Sequence, residues 1–496
     1  MEARDFQLDA REGQAGPDGV ADRLVLPQKP GNSGGGKGPE FKFQRNKGHE
    51  SQEIGVSLST PLKVQKLQTT LHAKAKGSPD YRFYALYDKV YRRDILEFAY
   101  LRCRSNDGAP GVDRQTFDHI ETYGRDRWLD ELATQLKDRT YRPDPVRRVF
   151  IPKSDGKQRP LGIGSIRDRV VQMAVVLVLE PIFEADLPPE QHAYRADHSA
   201  LDALKQVHGY VSTGHNEVVD ADLSGYFDSI PHAELMKSLS RRISDRHLLA
   251  LIKMWLEAPV EEIDERGHKR RTTRNKDERR GSPQGSPLSP LLANIYMRRF
   301  IVGWKTLGHE ERLDAHIVNY ADDFVICCRG TASEAMTVMR TMMTKLRLTV
   351  NETKTRRCRL PEETFNFLGY TIGRCWSPRT GKSYIGTKPS AKKIAGLKLE
   401  ISEQTSRKWF WLDPKDQVAR LNRMLLGWSN YFCLGPVSAS YEAIDHHMRH
   451  RLRQWLWGKY KRDSREWTRL SDREFHEKLG LVRLCNRTKT LPWAKA

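Results

Sequence analysis

Cysteine is scarce. The seven present, Cys103, Cys327, Cys328, Cys358, Cys375, Cys433 and Cys485, contain no C-x-x-C pair. That speaks against a zinc ribbon and a disulfide framework and fits a reducing compartment. No uncharged apolar run approaches the roughly 20 residues of a membrane span, and the start carries no apolar signal region. The expectation is a soluble, cytoplasmic protein with no membrane partner. No internal repeat is visible. Acid is in deficit as well: 63 Asp plus Glu face 84 Lys plus Arg, a formal charge of +21. Such an excess points to a polyanionic partner, nucleic acid before membrane, although charge alone leaves room for a basic protein without that role.

At 496 residues the chain has length for two or three domains. Residues 1 to about 60 are rich in Gly, Pro, Gln and charge and lack apolar periodicity, which predicts a disordered or loosely ordered arm over 1–75. Order is expected to begin near Tyr81, where apolar residues recur at helical spacing through Leu101. Residues 141–160 read as a hairpin with Asp155-Gly156 in its turn and cations Arg147, Arg148, Lys153, Lys157 and Arg159 along it. These cations either protect a ribbon edge or close over a triphosphate. Residues 170–183 are apolar all round, a helix inside a domain. The charged run 261–280 reads as a solvated hairpin or loop. Strands and helices mix without βαβ alternation, so the fold class is α+β. From Lys388 to 460 the texture is helical, basic and aromatic.

Tyr320-Ala321-Asp322-Asp323 carries the sharpest chemistry. Two β-branched apolar runs flank adjacent carboxylates, as in a buried hairpin with an acidic turn. Adjacent acids repel, so cations are expected to offset them. A core strand, 216–223, ends at Asp222. Beside the hairpin it would bring three carboxylates to one sheet edge, a hard oxygen set suited to Mg²⁺. Two such ions about 3.5–4 Å apart activate a hydroxyl and stabilise leaving pyrophosphate. Asp220 is a competing acid one step back on the same face.

In the same order, Asp222-Leu223-Ser224-Gly225-Tyr226-Phe227, the run Ser282-Pro283-Gln284-Gly285 continuing to Tyr296, and Tyr320-Ala321-Asp322-Asp323 resemble reverse transcriptases, most closely those encoded by bacterial group II introns. The resemblance covers about 81–496. It implies a right-hand polymerase, fingers and palm over 76–384, followed by an all-α thumb/maturase domain over 385–460. Asp222, Asp322 and Asp323 are the implied catalytic residues, and with Leu223 the implied holders of two Mg²⁺ ions, Mn²⁺ being a possible substitute. Lys153 and Arg159 fall where the family's fingers meet the incoming triphosphate. Gln284 falls in its nucleotide pocket, and Lys354 where a lysine follows the hairpin. Phe227 stands where RNA-synthesising relatives place an aspartate, and a ring there would exclude a ribose 2′-hydroxyl; the competing reading is plain core.

Residues 421–432 resemble the maturase region, with Lys392, Lys393, Arg420 and Arg423 as implied RNA contacts. The expected activity is RNA-directed DNA synthesis joined to splicing assistance and retrohoming. The expected partners are group II intron RNA, a DNA target and primer, and deoxynucleoside triphosphates. A homodimer and use at the bacterial nucleoid are further expectations. One departure stands out: 461–496 reads as a short basic DNA-binding tail, without the paired cysteines of the HNH endonuclease that many relatives carry. Rival readings are a domesticated enzyme (retron, diversity-generating or CRISPR-associated) and a non-catalytic splicing factor. The basic bundle counts against retrons, and the intact aspartates against a silent fold.

Overall fold

The structure, a computed structural model, describes residues 59–152, 158–263, 268–377, 380–460 and 470–488. Eleven strands are set among helices: β1 (Val146–Pro152), β2 (Gln158–Ile163), β3 (Glu217–Asp222), β4 (Val260–Ile263), β5 (Lys269–Thr272), β6 (Ala315–Tyr320), β7 (Asp323–Cys328), β8 (Arg356–Arg359), β9 (Phe365–Phe367), β10 (Tyr370–Trp376) and β11 (Ser383–Pro389). They form three sheets, ordered β2-β1-β4-β5, β6-β7-β3-β8 and β11-β10-β9. The mixture of helix and sheet agrees with the α+β expectation. Among the described residues no helix is long and apolar enough to cross a membrane.

The sheet β6-β7-β3-β8 is antiparallel throughout and buried on both faces. Alternation divides its side chains. Val219, Ala221, Ile317, Phe324 and Ile326 enter one core, while Val218, Val318, Val325 and Cys327 enter a second. Burial on both faces is why these strands read as continuous apolar runs. Each fully buried branched side chain contributes about 1.5–3 kcal/mol, so a charge at Val325 would break the hairpin's seating.

The first core centres on the helix Ile166–Glu184, begun by Ser165, whose hydroxyl accepts from the Asp168 amide. Fourteen of its residues are buried, which accounts for its all-round apolarity. The helix Leu62–Gly77 packs on it through Val64, Leu71 and Ala75, and Gln68 donates to the Leu177 carbonyl at 3.0 Å. This corrects the expected 1–75 arm: 62–75 is an ordered helix. Its buried stripe includes a glutamine and an alanine, so apolar periodicity did not mark it. Residues 1–58 lie outside the described residues.

The second core joins β9–β11 to the helices Ala391–Gln404, Pro414–Tyr431 and Ser438–Tyr460. Part of the expected tail over 461–496 is ordered. Residues 470–488 fold onto these helices, burying Leu470, Phe475, Leu479 and Leu484. Asp445 accepts from the amides of Leu484 and Cys485 at 3.0 and 3.1 Å, and Asn422 bonds both Gly480 and Val482. Residues 461–469 and 489–496 lie outside the described set.

Candidate active site

Asp222 and Asp323 are direct cross-strand partners at the end of the β3/β7 ladder. They share the face that Val218, Val325 and Cys327 occupy further back, so the apolar stack gives way to acid at this edge. Asp220 lies on that face too, opposite Val325, where Arg356 approaches it at 3.7 Å. Tyr320 pairs with Asp323, leaving Ala321 and Asp322 as a two-residue turn. Ala321 has φ +60°, a left-handed conformation that usually falls to glycine in such turns. The buried Asn319 braces it, donating to the Ala321 carbonyl at 2.8 Å. Asn319 is itself fixed by backbone bonds with Glu190 and His192.

Crowding of like charge shows in the acid strengths. Burial, then Asp322, Asp222 and Asp220, pushes the Asp323 carboxyl up to about 7. Its side chain reaches solvent, yet it is crowded by protein and by three acids. Asp322 is raised by burial and by Asp222 and eased by Arg159 and Lys354. Asp220 is pushed up to about 6, mainly by burial. Asp222 has its Oδ2 held by Asn351 at 2.8 Å and by Lys354 at 2.9 Å. Three convergent carboxylates, two of them with suppressed ionisation, fit a divalent cation better than they fit one another. Leu223, the fourth expected metal residue, is buried and bridges to Val350.

The strands bearing the basic hairpin reach the same region. Arg159 on β2 donates to Gln284 Oε1 at 3.2 Å, and Gln284 Nε2 donates to Asp228 Oδ2 at 3.1 Å. The Gly162 amide donates to the Gln284 carbonyl at 2.6 Å. Gly285 permits this approach, since a Cβ there would lie 2.5 Å from the Gly162 carbonyl and its φ is +108°. Phe227 is 8% exposed, packed at the edge of the first core, and its carbonyl accepts from the Ser282 amide. Lys153 lies outside the described residues. Thus Asp222, Asp322, Asp323, Arg159, Gln284 and Lys354 form one neighbourhood with Phe227 beside it.

Sequence reasoning missed Asn351, Asn319, Asp228 and Tyr194, whose hydroxyl is raised by burial and then by Asp322. Asn351 stands three residues before Lys354, Asn319 directly before Tyr320 and Asp228 directly after Phe227, each beside a quoted motif; Tyr194 carried no local signal.

The RNA-contact candidates sit apart from this neighbourhood. Lys392 and Arg423 are exposed, and Lys393 packs near Gly369. Arg420 stacks 3.5 Å over the Trp409 ring. Most interleaved aromatics prove to be core: Trp428, Phe432 and Trp455 are buried, while Trp411 and Trp457 are exposed.

Residues 151–372 match the family described as Reverse transcriptase (RNA-dependent DNA polymerase). Residues 394–472 match the Group II intron, maturase-specific domain. Protein YkfC of Escherichia coli (strain K12) is 30% identical over 368 residues, 66% of this chain and 93% of that protein. The Group II intron-encoded protein LtrA of Lactococcus lactis subsp. cremoris is 36% identical over 221 residues, 43% of this chain and 34% of its own length. An "Uncharacterized 91 kDa protein in cob intron" of Schizosaccharomyces pombe is 26% identical over 417 residues, 70% of this chain and 50% of that protein. The chain therefore spans nearly all of the first relative and half or less of the other two. Among solved structures, a chain titled "Partial Cas6-RT-Cas1--Cas2 complex" is 22% identical with a TM-score of 0.31, covering 52% of this chain and 42% of that one.

Proposed function

The chain belongs to the family of group II intron-encoded reverse transcriptases and maturases, RNA-directed DNA polymerases with fingers and palm, and from that premise we propose how its own residues serve the reaction. Asp222, Asp322 and Asp323 hold the divalent cations that the family requires, two Mg²⁺ in this reading, with the Leu223 carbonyl beside them. Those cations, when bound, activate the primer 3′-hydroxyl and neutralise the departing pyrophosphate. The observation that carries this reading is the cross-strand pairing of Asp222 with Asp323, with Asp322 in the turn.

Arg159 and Lys153 bind the triphosphate of the incoming deoxynucleotide. Gln284 holds Arg159 in place and lines the nucleotide pocket. Lys354 tethers Asp222 and offsets charge until substrate arrives. Phe227 excludes a ribose 2′-hydroxyl by bulk. Residues 76–384 act as fingers and palm. Residues 385–460, with the segment 470–488 packed on them, act as thumb and maturase domain, with Lys392, Lys393, Arg420 and Arg423 meeting phosphates of the intron RNA. The family's maturase domain implies binding of intron RNA; splicing assistance, copying into DNA at a target and retrohoming complete the proposal.

The test is primer extension by the purified full chain on an RNA template with deoxynucleotides. Synthesis that needs Mg²⁺ or Mn²⁺ and admits ribonucleotides only in Phe227→Ala is expected. No synthesis by the wild-type chain on any primed template would overturn it.

A further inference from the structure

At the end of the β6–β7 hairpin away from the aspartates, three segments bring donor atoms together. His215 follows the helix Ala200–Ser212, Asp314 ends the short helix His309–Leu313 with φ +44°, and His316 is the second residue of β6. Their ligand atoms all lie within 4.8 Å of one another, the one such trio of His, Cys, Asp or Glu among the described residues. Asp314 Oδ1 is 3.0 Å from His215 Nε2 and 3.7 Å from His316 Nε2. Arg329 takes the other oxygen, Oδ2, at 3.4 Å.

The partners of the two rings bear on their tautomers. His215 Nδ1 lies 3.2 Å from the Tyr210 carbonyl, which can only accept, and 3.2 Å from the Thr213 hydroxyl, which accepts or donates; when the carbonyl takes the Nδ1 hydrogen, Nε2 is the free ligand atom. His316 Nδ1 lies 2.9 Å from Glu310 Oε1, a carboxylate, and carries the hydrogen for the same reason. In that tautomer both neutral rings turn an unprotonated Nε2 toward Asp314 Oδ1, and three acceptors face one another; in the other, Thr213 donates to His215 Nδ1 and Nε2–H donates to Asp314. Tyr210 fixes this arrangement, stacking on His316 at 4.5 Å and 4° and meeting His215 edge-on at 5.9 Å. A histidine whose Nδ1–H is held by a carbonyl or carboxylate is oriented as metal-binding histidines are. A cation satisfies all three acceptors at once; the competing arrangements are that other tautomer and a second proton on one ring.

We propose that His215, Asp314 and His316 form a binding site for a zinc-class transition metal, with water in the fourth position. Two of the three separations, 3.0 and 3.7 Å, bracket the ligand–ligand spacing of about 3.3 Å that zinc bonds of about 2.0–2.1 Å impose in a tetrahedron, and the third lies within 4.8 Å. Two imidazoles and one carboxylate suit zinc rather than magnesium. His215 is buried while the Asp314 side chain is 46% exposed, which leaves an entry path. The ion would staple the end of the helix Ala200–Ser212 to β6, bracing the hairpin that carries Asp322 and Asp323 from behind. The site does not depend on the polymerase reading.

The test uses the full chain, stripped with a chelator and titrated with Zn²⁺ against a chromophoric competitor, with Co²⁺ as the spectroscopic probe. One Zn²⁺ per chain is expected, with Co²⁺ giving the visible bands of a low-coordinate nitrogen and oxygen site. His316→Ala and Asp314→Asn should each weaken zinc at least tenfold, and Glu310→Gln, which alters the contact to His316 Nδ1–H and leaves the three ligands in place, by about tenfold. Asp322→Ala with Asp323→Ala should leave zinc binding unchanged. Zinc not retained at micromolar free metal, binding indifferent to all three substitutions, or binding lost only in the aspartate variant would each overturn the proposal. If His215→Ala fails to fold, the more exposed Asp314→Asn and Glu310→Gln still decide it.

Discussion

Lys354 Nζ lies 2.9 Å from Asp222 Oδ2, on the same oxygen that takes the Asn351 amide at 2.8 Å. One cation and one amide from a single loop thus fix the last residue of β3. The lysine side chain is 64% exposed, so the pair adds little to the fold, about 0–1 kcal/mol. Its work is local, on the charge and orientation of Asp222.

Lys354→Ala should therefore leave thermal unfolding nearly unchanged while lowering kcat/KM for deoxynucleotide by at least about tenfold, the scale of about 1.4 kcal/mol in the transition state. Lys354→Arg should recover part of that loss. Steady-state primer extension beside a melting curve checks it; a large fall in stability with activity preserved would contradict it.

Mutual repulsion among the acids makes a second expectation. In chelator, Asp323→Asn removes the carboxyl that burial and then Asp322, Asp222 and Asp220 push up to about 7, and should stabilise the chain by about 1 kcal/mol. Added Mg²⁺ should raise the wild-type melting temperature and leave the variant nearly still, since a ligand of the folded state stabilises by mass action. Equal response of both proteins to Mg²⁺ would remove Asp323 from the metal set.

Much of this site was legible because chemistry was written locally. Asp222, Asp322 and Asp323 stand at the ends of β-branched apolar runs that predict strands, and Gln284 and Lys354 fall within short distinctive segments. What the chain did not announce depends on long-range contact. Asn319 looks like any polar residue in a strand until the 190–192 segment and the turn close on it. The helix Leu62–Gly77 buries Gln68 and Ala75 in place of large apolar side chains, so composition hid it. Trp428 and Trp455 share a basic stretch but turn inward, which spacing alone left undecided.

The turn itself yields a third expectation. Asn319→Ala removes the donor to the Ala321 carbonyl and should destabilise by about 1–3 kcal/mol while lowering synthesis disproportionately, because Asp322 loses its support. Ala321→Gly relieves the left-handed alanine and should raise stability by up to about 1 kcal/mol. Denaturant unfolding of both variants checks the pair; a destabilising glycine would contradict the strain assigned to Ala321.

Stability should also respond to pH through Asp168, buried and hydrogen-bonded by the Tyr141 hydroxyl at 2.5 Å and the Asp144 amide at 2.9 Å. Burial pushes its carboxyl from 3.8 up to about 6 against the pull of those bonds. The folded chain then holds this proton more tightly than the unfolded one. The contribution is fully present below about pH 4 and lost as pH rises through about 6, amounting to about 3 kcal/mol at most. Asp168→Asn, which does not titrate, should flatten that part of the stability profile; superimposable profiles would contradict the assignment.

The most direct test of the central claim compares two readouts in one variant. Asp322→Ala with Asp323→Ala is assayed for RNA-templated DNA synthesis and for affinity toward the intron RNA in the same buffer. Synthesis at background and RNA affinity within about threefold of wild type, a change of under about 0.7 kcal/mol, are expected. Synthesis that survives the double substitution would contradict the account outright, and so would loss of RNA binding together with synthesis.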